Sequence, residues 1–170
     1  ERGYVPDRLA RFGMRQLIRA RLREQRRSGA RGQADFLASL CNGPIAIATG
    51  DANAQHYEVP SAFFETVLGP RLKYSCAWYA TPTTGLAQAE EAMLALTCER
   101  AGVADGMRVL DLGCGWGSLS LWLAEQYPRA RITAVSNSAT QRAHIEAHAA
   151  AHGFDNLEVV TANVVEWDTD

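Results

Sequence analysis

From Met107 onward, two hydrophobic periods alternate along the chain. Val109, Leu110 and Leu112 form a short apolar run suited to a buried parallel strand, which ends at Asp111-Leu112. The chain then turns through Gly113, Gly115 and Gly117. Leu119, Leu121, Trp122, Leu123 and Tyr127 follow in a helix pattern that Pro128 closes. A second unit repeats the scheme, with a strand at 131–135, a helix at 139–152 and a strand at Leu157–Thr161. Strand and helix patterns in this alternation predict an α/β fold on a parallel sheet.

Upstream of Met107 the pattern is helical or irregular. Asp7 to about Arg27 reads as a helix with Leu9, Phe12, Leu17, Ile18 and Leu22 on an imperfect apolar stripe, ended by Ser28-Gly29. Gln33–Leu40 suggests a second short helix, and Asn42-Gly43-Pro44 a break. A short helix is expected at Ser61–Leu68, before Gly69-Pro70, and an aromatic-rich packed loop over Leu72–Tyr79. Leu86–Arg100 is a longer helix, with Gly102 at its stop. The expected divisions are a basic helical segment at 1–50, a helix-and-loop segment at 51–104 and an α/β segment at 105–170.

Charge changes the picture of the N-terminus. Residues 1–31 hold ten basic residues, all Arg, against three acidic ones; the whole chain's net −2 therefore splits into +7 there and −9 elsewhere. A basic amphipathic helix can lie on an anionic membrane surface or meet an acidic partner, and it can equally be a solvated helix docked on its own domain. No aromatic residues interleave the arginines as stacking platforms, which argues against nucleic acid. No run approaches the ~18 apolar residues of a membrane span. The four cysteines, Cys41, Cys76, Cys98 and Cys114, lack C-x-x-C spacing, so no zinc site is expected and they read as reduced thiols of a cytoplasmic protein.

The glycine turn carries the chemistry. Strand, glycine turn, helix is the arrangement that aims helix N-terminal N–H groups at a ligand. A dinucleotide fingerprint needs G-x-G-x-x-G/A and an acid about 20 residues on. Here Gly117 comes one position early, and the next strand ends at Ser136-Asn137 with no carboxylate. The run Val109–Gly117 instead resembles the first motif of S-adenosylmethionine-dependent methyltransferases, whose ligand bears no pyrophosphate and calls for no cation in the turn. His56-Tyr57-Glu58, Phe63-Phe64, Tyr74-Ser75-Cys76, the Leu110–Gly117 loop and Ser138-x-x-Gln141 together resemble the cyclopropane-fatty-acid synthase family of class I methyltransferases. Gln55–Pro60, Leu72–Cys76 and Asn137–Gln141 are closer to its coclaurine N-methyltransferase branch.

The resemblance implies a Rossmann-like, doubly wound sheet of which this chain holds the first three strands, preceded by a helical N-terminal segment. It implies that Tyr74 and Ser75 contact the methionine part of the cofactor and that Asp111, Gly113 and Gly115 hold its amino acid and ribose region. Gly117 would let a helix approach closely. Ser136 to Gln141 would reach the ribose, and Asn163-Val164 the adenine, with Asn163 standing where the family more often has Asp. Cys76 matches a bicarbonate-site cysteine of the cyclopropanases, and His56 and Tyr57 would close the acceptor pocket.

Plainer readings stand beside these. Ser138-x-x-Gln141 is also a capping box. Trp116 can simply cover the loop, and Tyr74 and Cys76 can be core residues. His144, His148 and His152 recur at i, i+4, i+8, a spacing that could hold a metal; with no carboxylate or cysteine to complete the set, a solvated helix face is the better reading.

The resemblance also implies that the family's catalytic carboxylate and histidine fall beyond Asp170. Three function classes follow: methyl transfer to a small amine, methyl transfer to an acyl-chain alkene with bicarbonate as base, or a non-catalytic cofactor-binding fragment. A homo-oligomer is compatible with all three. Residues 1–170 alone are expected to show no methyl transfer and, with the strand of Val109, Leu110 and Leu112 open along one edge, not to persist as a monomer in light scattering.

Overall fold

The computed structural model describes residues 5–44, 60–165 and 167–168. The chain divides into two compact units, Glu1–Ile45 and Ala46–Asp170. The first unit is a helix, α1 (Asp7–Asn42), with no buried residue. Its only interior departure from helical geometry is Gly29, at φ 48° and ψ −148°. The sequence pattern predicts two helices with a gap between Arg27 and Gln33. The break narrows to one residue because glycine takes a positive φ at little cost, and the turns on either side stay helical.

The second unit runs α2 (Ser61–Val67), α3 (Leu86–Arg100), β1 (Arg108–Leu112), α4 (Ser118–Gln126), β2 (Arg131–Ser136), α5 (Ala139–His152) and β3 (Leu157–Thr161). The three strands are parallel and lie in the order β1-β2-β3. Both crossovers therefore step the same way across the sheet, and right-handed connections place α4 and α5 on one face. The register puts Val109, Ile132 and Leu157 in one row of that face and Asp111, Ala134 and Val159 in the next. Ile132, Ala134 and Val159 are buried there, against Leu123 and Ala124 of α4 and Ile145 of α5. On the opposite face Leu110 and Leu112 remain 46% and 51% exposed. Among the described residues β1 pairs with β2 alone, so its outer edge is open.

In the second unit, local chemistry bounds α3, α4 and α5 close to where the pattern puts them. Tyr127 caps α4 one residue before Pro128. Gly153 takes the left-handed C-cap of α5 at φ 69°. At the start of α3 the Gln88 side-chain carbonyl accepts the Gly85 N–H at 3.3 Å. Ser138 caps α5 by accepting the Gln141 N–H, also at 3.3 Å.

Gly117, the N-cap of α4, fixes how the two helices meet. It has φ 82°, and a Cβ there would lie 2.6 Å from Ile145 Cγ1. Ile145 is fully buried. Gly117→Ala is expected to cost about 2–4 kcal/mol in urea unfolding, combining left-handed strain with overpacking. Truncating Ile145 in the same molecule should recover part of the packing loss but none of the backbone strain.

Candidate cofactor site

The end of β1 is tied to its neighbour before the chain turns. Gly113 N–H and Cys114 N–H both donate to Val135 O, at 2.9 and 3.0 Å. Gly115 has φ 57°, and neither Gly113 nor Gly115 has any atom within 4 Å of where a Cβ would stand. The turn therefore opens onto free space, a cavity of about 470 Å³. That volume is in the range of small-molecule sites.

The cavity collects most of the residues that sequence motifs mark. Tyr74, Ser75 and Cys76 form one wall, Asp111, Gly113 and Gly115 line the turn, and Gln141 closes the far side. Ser75 Oγ accepts from Lys73 Nζ at 2.6 Å. Tyr74 meets Phe64 edge-on at 5.5 Å, Phe64 lies 4.9 Å from Trp116, and Trp116 meets His144 at 5.4 Å. Trp116 is thus more than a cover on the loop: it is 2% exposed and joins α2 to α5.

Two carboxyl and thiol groups in the floor are perturbed by burial. Asp111 accepts from Ser120 Oγ at 2.6 Å, yet desolvation outweighs that bond and raises its pKa. The Cys114 thiol is pushed up to about 12, first by burial and then by the nearby Asp111 charge.

Gln141 is held by a relay. Ser136 Oγ donates to Gln141 Oε1 at 2.6 Å and accepts the Ser138 N–H at 3.1 Å. Only half of the capping box predicted at Ser138-x-x-Gln141 forms: Ser138 accepts the Gln141 N–H, while the N-cap N–H goes to Ser136 instead of the Gln141 side chain. With its oxygen engaged, buried Gln141 keeps an Nε2 group that has no hydrogen-bond partner among the described residues.

Other marked residues lie elsewhere. Ser136 is beneath the cavity, acting on Gln141. Asn163 and Val164 are not in its lining; Asn163 Oδ1 accepts the Val165 N–H at 3.1 Å. His56 and Tyr57 lie outside the described residues. The histidine face is not simply solvated: His144 and His148 are half-buried beside Trp116 and Leu68, and His148 stacks on His152 at 4.2 Å. Burial and the neighbouring histidines lower the His148 pKa. Among the described residues no His, Cys, Asp or Glu grouping is suited to a metal.

Two residues escaped sequence reasoning. Glu90, on α3, is 2% exposed. Arg71 joins Glu91 at 2.9 Å and Glu125 at 2.7 Å and stands over the Trp122 ring at 5.0 Å. Their partners are 19 to 54 residues away, so no local pattern reveals them.

A parallel α/β sheet with a glycine turn opening onto this cavity defines a partial Rossmann-like fold of the class I methyltransferase type. The chain belongs to the mycolic acid cyclopropane synthetase family, whose profile matches residues 47–169. It is 37% identical over 172 residues to an (S)-coclaurine N-methyltransferase of Thalictrum flavum subsp. glaucum, covering 96% of this chain and 46% of that protein. A crystal structure of coclaurine N-methyltransferase bound to N-methylheliamine and SAH superposes with a TM-score of 0.89 at 35% identity, over 98% of this chain and 49% of that one. Mycolic acid cyclopropane synthase CmaA1, complexed with SAH and CTAB, has a TM-score of 0.65 at 27% identity, over 73% of this chain and 43% of that one. The chain spans less than half the length of the curated relative it matches here.

The raised Asp111 pKa sets a pH dependence. A carboxyl that holds its proton more tightly when folded contributes stability below its unfolded pKa, and that contribution is lost as pH rises through the folded value. Asp111→Asn should therefore be more stable than the parent at pH 7 in urea unfolding. The advantage should shrink on acidification and vanish below about pH 4.

Proposed function

We propose that this chain holds the S-adenosylmethionine half-site of a methyltransferase acting on the nitrogen of a small amine. The observation that carries the reading is the cavity over the cation-free glycine turn, closed by a buried Gln141 amide with donors to spare. The residue set fits this cofactor. The unobstructed turn admits its amino-acid and ribose parts, Tyr74 and Ser75 stand at the methionine side, and Gln141 Nε2 offers donors to the ribose oxygens. Asn163 and Val164 are proposed for the adenine and Ser136 as the support of Gln141. His56, Tyr57 and Cys76 belong to the acceptor side, within the segment 51–104.

The cofactor supplies a methyl group on a sulfonium that is already a good leaving group. What remains for the protein is in-line positioning and exclusion of water. The floor contributes a fixed backbone turn and, beside it, an aromatic row from exposed Tyr74 through buried Phe64 to buried Trp116.

An amine acceptor is favoured because the relative of highest TM-score above acts on coclaurine and was solved with N-methylheliamine. The second reading is methyl transfer to an acyl-chain alkene, with bicarbonate held near Cys76. The exposed arginines of α1 favour it, as a peripheral contact with an anionic membrane. Among the described residues no helix is long and apolar enough to cross a membrane. A cytoplasmic protein, as a homo-oligomer and without a nucleic-acid partner, completes the proposal.

Calorimetry on the whole protein should show binding of S-adenosylmethionine and of its demethylated product, and no binding of nicotinamide dinucleotides. Tighter dinucleotide binding would end the reading. Gly115→Val should abolish binding, since a branched side chain would fill the approach to the turn. With methyl-labelled cofactor, label should enter secondary or tertiary amines; label entering only unsaturated phospholipid vesicles would favour the lipid reaction.

A further inference from the structure

The wall that carries Tyr74 and Ser75 is held in an unusual backbone conformation. Leu72 has φ 47°, the sole positive φ of a non-glycine residue among those described. That region is costly for a residue with a branched side chain and persists only where surroundings enforce it. The turn itself is closed by Leu72 N–H donating to Gly69 O at 2.9 Å.

Two groups outside the cofactor cavity do the enforcing. Glu90 Oε2 accepts the Arg71 N–H at 3.1 Å, one residue before Leu72. Its carboxylate is packed so tightly on Gly69 that a Cβ there would overlap it. A buried carboxylate is costly and needs hydrogen bonds to hold its place. The Arg71 guanidinium then fastens the same turn outward. Nε and Nη2 donate to Glu91 Oε1 at 3.2 and 2.9 Å, and Nη1 to Glu125 Oε2 at 2.7 Å. Its charge also rests over the Trp122 ring. The turn is thereby joined to α3 through Glu90 and Glu91 and to α4 through Glu125 and Trp122. The helix α4 begins at the glycine turn, so both walls of the cavity are referred to one frame.

We propose that Glu90 and Arg71 are positioning residues that set the Tyr74-Ser75 wall over the glycine turn, touching neither cofactor nor acceptor. This rests on the cofactor reading above. It predicts that loosening either residue raises the concentration of cofactor needed while leaving turnover at saturation nearly intact.

The test uses Glu90→Ala, Arg71→Met and Glu90→Gln in the whole protein. S-adenosylhomocysteine affinity is measured by calorimetry, KM and kcat with S-adenosylmethionine, and amide hydrogen exchange over residues 69–79. Glu90→Ala and Arg71→Met are expected to weaken binding about tenfold, as for loss of a charge-assisted hydrogen bond, with kcat within about twofold of the parent. Exchange over 69–79 should quicken. Glu90→Gln should restore affinity, because its carbonyl can accept the Arg71 N–H. Arg71 is partly at the surface, so Arg71→Met decides the matter even where Glu90→Ala fails to fold. Parent binding with unchanged affinity in the variants overturns the positioning role alone. So does a joint fall of kcat and melting temperature at constant KM. A parent that binds no S-adenosylhomocysteine overturns the cofactor reading, and this proposal with it.

Discussion

The contact between Gly117 and Ile145 sets the geometry on which the cavity over the glycine turn depends. With no side chain at the start of α4, α5 can bring a β-branched residue against the backbone of the turn. The approach fixes the distance between the glycine turn and the N-terminal end of α5, where Gln141 sits. Both helices come from consecutive right-handed crossovers on one face of the sheet, so their spacing also decides how well Ala134 and Val159 are covered. Packing and site geometry are here the same constraint.

Around that contact, polar groups are arranged in short relays. Ser120 fastens Asp111, and Ser136 fastens Gln141, each at 2.6 Å. In both cases a hydroxyl takes up one functional atom of a polar side chain, half-buried in Asp111 and buried in Gln141, and leaves the remainder directed by geometry. A buried network of this kind is rigid when satisfied, and a group left without a partner is costly. Gln141 Nε2, without a partner among the described residues, is thus a point at which the network expects something more.

Much of this was legible in the chain itself. The change from strand to helix period marks β1, α4, β2, α5 and β3, because each buries one apolar face against its sequence neighbours. The glycine turn was legible because backbone conformations of that kind restrict residue identity. Tyr74, Ser75 and Gln141 came from resemblance, since nothing in their local pattern distinguishes a site from a core. Glu90 and Arg71 were illegible for another reason: their partners are set by tertiary folding. The histidines on α5 misled in part, because helical spacing does not show that Trp116 and α2 would cover one end of the row. The gap expected near Ser28 closed to Gly29 alone, since a breaker residue fixes where a helix bends but not how many residues the bend occupies.

The buried thiol of Cys114 bears on chemical selectivity. With its pKa pushed up to about 12, the thiol stays protonated at neutral pH. A thiolate is among the strongest nucleophiles a protein can offer, and a sulfonium methyl donor is an alkylating agent. Were the floor of the cavity more polar, the donor proposed to lie there could be spent on the protein's own sulfur. Desolvation and the adjacent carboxylate together keep that sulfur protonated. The same burial that shapes the pocket thus keeps the Cys114 sulfur a weak nucleophile toward the proposed donor.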